Sequence, residues 1–88
     1  MTEPFDDIAP RSDTLTEYDR AHVRLYTRLL DASAEGAPWQ EIVAILFGVD
    51  PGREPDRSRR VYDSHLARAR WMSETGFHLL LRQHPMTD

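Results

Sequence analysis

Apolar side chains recur along most of this chain at the three-to-four-residue spacing of helices that are buried on one side. In the first such run Leu15, Tyr18, Ala21, His22, Leu25, Tyr26 and Leu29 share a face. Thr14 and Glu17 have the spacing of a capping box, in which the two side chains satisfy each other's free backbone amides. The pattern therefore predicts a helix from Thr14 to about Ala34, stopped by Gly36. Arg20, Arg24 and Arg28 step along another face at i,i+4. Glu17 and Asp31 stand three residues from Arg20 and Arg28, as on a solvated, internally paired side.

A second helix is predicted from Pro38, because proline's missing amide hydrogen is not needed in a first turn. Ile42, Val43, Leu46 and Trp39 would face inward, and Ala44 is small enough for a close helix crossing. Gly48 ends this helix, and Val49 is a core anchor beyond it. The stretch DPGREPD, Asp50 to Asp56, holds two prolines and a glycine and continues neither neighbour. A third helix follows from Asp56 or Ser58 to about Thr75, with Val61, Tyr62, His65, Leu66, Ala69 and Met72 as its buried stripe and Trp71 at the edge. FHLLLRQ, residues 77–83, reads as a short closing helix, and residues 84–88 as a flexible tail. Residues 1–13 hold two prolines and four acids and read as a flexible acidic arm. Within it Phe5 and Ile8 either dock on the body or form a recognition segment. The expectation is an all-α fold: one small four-helix domain over residues 14–83, with no sheet.

Composition narrows the function. Eighty-eight residues suit one domain. The absence of cysteine excludes disulfides, thiolate catalysis and cysteine zinc sites. No apolar run is long enough to span a membrane, and the acidic start is unlike a secretory signal, so a cytoplasmic location is expected. The histidines are scattered, with no metal-binding spacing, and Ser58 and Ser64 lack a nucleophile context. Neither a cofactor nor catalysis is expected, and His65 reads as a hydrogen-bonded core residue.

Charge is more informative. The net charge is −4, which weakens the case for a nucleic-acid binder. Residues 35–50 carry three acids and no base, whereas residues 53–70 carry six arginines against three acids. Gly36, Glu41, Ile42, Ala44, Leu46, Gly48 and Val49 fall where a helix-turn-helix places its turns and core positions. The arginine-rich third helix would then be the groove reader. Arg57, Arg59, Arg60 and Arg68 are its candidate DNA contacts. Three readings of that helix stay open: DNA contact, a protein interface, or a solvated salt-linked face.

The runs YDRAHVRLYTRLLDASAEGAPWQEIVAILFGVD and RSRRVYDSHLARARWMSETGFHLLL resemble a proteobacterial family of variant helix-turn-helix domains associated with integrative and conjugative elements. EIVAILFG is the most specific part, and the likeness covers about residues 15–82. The resemblance implies a transcriptional antiactivator that binds activator proteins without binding DNA. Its implied partners are a LuxR-type quorum-sensing activator and an excision activator carrying the same domain. Acids around the motif (Glu35, Glu41, Asp50, Glu54 and Asp56) fit this, since they repel phosphate and attract a basic protein surface. Expected surface position selects Trp39, Glu41, Phe47, Arg53, Asp56, Arg57 and Arg60 as candidate partner contacts. The alternative is a small helix-turn-helix DNA-binding regulator.

Overall fold

The computed structural model describes residues 4–76, and every regular element among them is helical. The order is α1 (Glu17–Ala21), α2 (Val23–Ala34), α3 (Trp39–Phe47) and α4 (Pro55–Trp71), with a single π turn at Met72–Gly76. The helix expected at residues 77–83 lies outside the described residues. Four helices are present nonetheless, because the long first helix is divided at His22, whose backbone leaves helical geometry at φ −116° and ψ 19°.

The start of α1 also differs from expectation. Its cap is Thr16, paired with Asp19 in a capping box, rather than Thr14 with Glu17. The Asp19 carboxylate explains the shift, because it accepts from the Thr16 amide at 3.0 Å and also receives α4. The Thr14 carbonyl is taken by Arg68 instead.

The other boundaries follow local chemistry. Pro38 caps α3 in extended geometry, and Gly48 closes it at φ +71°, a left-handed conformation that side chains strongly disfavour. In the turn that follows, the Asp50 side chain accepts from the Gly52 amide, and its carbonyl accepts from Arg53 and Glu54. Pro55 then opens α4 from its first turn.

The main core joins Leu25 and Leu29 of α2, Ile42, Val43 and Phe47 of α3, Val49, and Val61, Tyr62 and Leu66 of α4. Burial of each such large side chain contributes roughly 1.5–3 kcal/mol. A second cluster gathers Tyr26, Ala69 and Met72. Ala21 and Ala44 are exposed, so neither serves the inward face assigned to it. Within the helices, the small buried residues are on α4, at Ser58 and Ala69.

Residues 4–13 lie over the bundle rather than standing away from it. Phe5 meets Phe47 edge-on at 5.0 Å between ring centres, and Ala9 is buried. Docking is therefore the course Phe5 takes, while Ile8 remains 40% exposed.

One buried ion pair ties the layers together. Arg68 donates to Asp19 from Nε at 2.9 Å and from Nη2 at 2.6 Å, and both side chains are almost wholly buried. Tyr26 donates its hydroxyl to Asp19 Oδ1, and Arg68 also holds the carbonyls of Ser12 and Thr14. Burial alone would raise the Asp19 carboxyl, but the bonds from Arg68, Thr16 and Tyr26 hold it below its ordinary 3.8.

Arg68→Ala leaves a buried carboxylate without its cation and is expected to cost about 3–5 kcal/mol in urea unfolding. Asp19→Leu with Arg68→Met should recover much of that loss. The pair also sets an acid limit. A carboxyl depressed in the folded state binds its proton more readily when unfolded, so its stabilisation is complete above about pH 4 and is lost as pH falls through the folded value. Unfolding midpoints followed from neutral pH to about pH 2.5 should show this loss, and Asp19→Asn should remove that part of the acid dependence.

Candidate functional site

α4 places its apolar stripe inward, which leaves Asp56, Arg59, Arg60, Asp63, Ala67 and Trp71 at helical spacing on its outer side. Residues 8–13 run beside this face and complete an open cleft of about 750 Å³. Ile8, Pro10, Ala67 and Trp71 supply apolar surface, and the charged side chains of α4 stand among them. Such a mixture of apolar floor and charged rim suits a polypeptide contact, where aromatic and arginine side chains provide anchors.

The arginines of α4 are mostly engaged within the chain. Arg57 donates from Nε to both oxygens of Asp7 at 3.1 Å and lies 3.4 Å from Glu54. Arg59 donates to Asp63 at 2.9 Å, and its guanidinium lies 4.8 Å from the centre of the Trp39 ring. Arg68, besides its pair with Asp19, stacks on Trp71 at 3.8 Å. For Arg53, Arg60 and Arg70 no carboxylate partner is found among the described residues.

These positions sort the residues selected from sequence. Asp56, Arg59 and Arg60 line the cleft together. Trp39 adjoins them through Arg59; it is half-buried against Tyr62, 6.0 Å between ring centres. Arg57 lies on the side of α4 beneath Phe5 and Asp7. Glu41 and Arg53 are exposed but line no part of the cleft.

Two selections are corrected. Phe47 is 2% exposed and belongs to the core, because the α3 stripe of Ile42 and Val43 continues through it. Arg68 is 4% exposed and committed to Asp19, so it is no DNA contact in this fold. Trp71, Asp63 and Ala67 were missed as cleft residues. Their spacing from Arg60 was the available signal, whereas residues 8–13 gave none.

His65 is a core histidine. Its Nδ1 lies 2.8 Å from the Val61 carbonyl, which can only accept, so Nδ1 carries the proton. Nε2 then accepts from the Tyr18 hydroxyl at 2.6 Å, and that oxygen accepts from the Asp6 amide. Burial pushes His65 below its ordinary value and keeps it neutral. Ser64 Oγ lies 3.3 Å from Nδ1, but that nitrogen is the protonated one and takes no proton from the serine. Among the described residues, no group of three or more His, Asp or Glu side chains is placed to share a metal ion. No helix among them is long and apolar enough to cross a membrane.

Comparison of the chain with protein-family models gives no match, and comparison with curated proteins gives none either.

Among the described residues no hydrogen-bond partner reaches the buried Ser58 Oγ of α4, and Ser58 does not line the cleft. A buried hydroxyl in that state costs free energy that an alanine of the same shape avoids. Ser58→Ala should therefore leave stability unchanged or raise it by up to about 1 kcal/mol in urea unfolding, with an unaltered amide spectrum.

Proposed function

We propose that this chain is a transcriptional antiactivator. It binds activator proteins that control excision and conjugative transfer, and it does so by protein contact without binding DNA. The observation that carries this reading is the neutralisation of α4. Of the arginines that a groove-reading helix would turn to DNA, Arg57 is held by Asp7, Arg59 by Asp63 and Arg68 by the buried Asp19. A phosphate approaching Arg57 or Arg59 would compete with the carboxylate already bound at Nε, and Arg68 is committed to the buried Asp19. The acids that hold them would repel the phosphates as well. The same face offers a protein the exposed Arg60, the half-buried Trp39 and Trp71, and an apolar floor.

The resemblance to variant helix-turn-helix domains of integrative elements supports this reading, and within that family the chain resembles the antiactivator QseM. The partners it implies are a LuxR-type quorum-sensing activator and an excision activator bearing the same domain. The rival reading, a DNA-binding regulator, would rest on Arg53, Arg60 and Arg70, which have no carboxylate partner among the described residues.

The two readings separate in an amide-shift titration of labelled protein with a short generic duplex at low salt, where non-specific phosphate binding is strongest. The duplex is expected to leave α4 unmoved, whereas an activator should shift Asp56, Arg60 and Trp71. Arg60→Glu combined with Trp71→Ala should weaken the activator complex by about tenfold or more. Duplex-induced shifts across residues 53–70 that vanish as salt rises would establish the DNA reader instead.

A further inference from the structure

Residues 4–9 form a strap with a specific mode of attachment to α3 and α4. The Phe5 ring rests on Phe47, at 5.0 Å, and near His65, at 6.3 Å, with the Arg57 guanidinium 5.9 Å from its centre. Two residues on, both Asp7 carboxylate oxygens accept from Arg57 Nε. Ser64 then grips the strap's backbone: its Oγ accepts from the Ala9 amide at 3.1 Å and donates to the Asp7 carbonyl at 3.3 Å. His22 Nε2 lies 2.7 Å from the Pro4 carbonyl at the other end. None of residues 4–9 is in a helix or strand. The attachment is that of a bound extended peptide: one aromatic anchor, one charge-assisted contact and backbone bonds between them.

The structure points to this surface as a peptide-recognition site, and we propose that the strap is its built-in competitor. The site takes, from a partner protein, an extended segment with an aromatic side chain followed two residues later by a carboxylate. This rests on the reading of the chain as a protein-binding regulator, and it specifies what one part of the partner must look like.

Two features make the strap replaceable rather than merely structural. Its one ion pair among the described residues is half-exposed, with Arg57 at 36% and Asp7 at 42% side-chain exposure, and such pairs are weak. The socket beneath, by contrast, is made of core rings, Phe47 and His65. Phe47 and His65 are at most 2% exposed with Phe5 in place, and removing the strap uncovers an aromatic surface beside a cation. The strap also continues into residues 8–13, one wall of the α4 cleft, so exchange at the socket would reshape the cleft itself.

The test uses the full chain and a fluorescent peptide of its own residues 3–9, EPFDDIA. In the Phe5→Ala, Asp7→Ala chain the site is vacated. That chain should bind the peptide saturably, with amide shifts at Phe47, Arg57 and Ser64. The unaltered chain should bind it about tenfold or more weakly, because its strap occupies the site most of the time. A charge swap gives the second measurement. Arg57→Asp in the otherwise unaltered chain should lose the EPFDDIA peptide and gain one carrying Arg in place of Asp7. Equal affinity of the vacated and unaltered chains, no binding by the vacated chain, or indifference to the charge swap overturns the proposal. If the vacated chain does not fold, the charge swap decides alone. Neither DNA nor an activator enters this experiment, so its failure leaves the antiactivator reading standing, and a duplex-binding result would leave this one intact.

Discussion

The buried contact between Asp19 and Arg68 is the constraint on which the rest of the arrangement depends. A carboxylate and a guanidinium taken out of water are tolerable only when their remaining hydrogen-bonding capacity is met. Here that requirement recruits Thr16, Tyr26 and the carbonyls of Ser12 and Thr14. It thereby places the start of α1, one side of α2, the lower half of α4 and the chain between residues 12 and 16 in one fixed relation. The capping residue moves from Thr14 to Thr16 for the same reason. The segment entering α1 is held by its backbone, which sets where residues 4–11 can reach.

From that fixed point the N-terminal residues run along α4, and their carboxylates decide its electrostatic character. Written out, residues 53–70 look basic. Folded, three of their arginines have acids of the same chain within hydrogen-bond reach, two of those acids lying in the first nineteen residues. The exposed face of α4 is therefore mixed in charge and partly aromatic. A uniformly positive helix would be steered toward phosphate; a patchwork of paired charges gives little such steering and instead selects a partner by shape and complementary charge.

Much of the helical plan is legible in local sequence. Pro38 and Gly48 bracket α3 because both act through their own backbone geometry. The inward stripe that runs from Val61 on α4 to Met72 just beyond it is a direct expression of helical period, and every member of it is buried. Val49 was recognisable as a core anchor for a related reason: an apolar residue just past a glycine stop sits at the end of a buried helix. His22 was not legible as a break. Its neighbours keep the helical period, and what departs is only its own backbone, in a ring stacked 3.9 Å from Tyr18 and hydrogen-bonded back to the Tyr18 carbonyl.

Local sequence is enough to make the regular elements of residues 4–76 helical, to stop α3 and to choose which side of α4 turns inward. Those features depend on periodicity and on backbone chemistry within a few residues. Long-range packing is what makes Phe47 interior, places Arg68 inside against Asp19, and lays Phe5 and Asp7 over one side of α4. The ion pairs concerned join residues 49 and 50 positions apart. At such separations nothing in local spacing says which carboxylate will meet which arginine; that choice is made by packing, which admits a buried charge only where a partner and its hydrogen bonds are already in place.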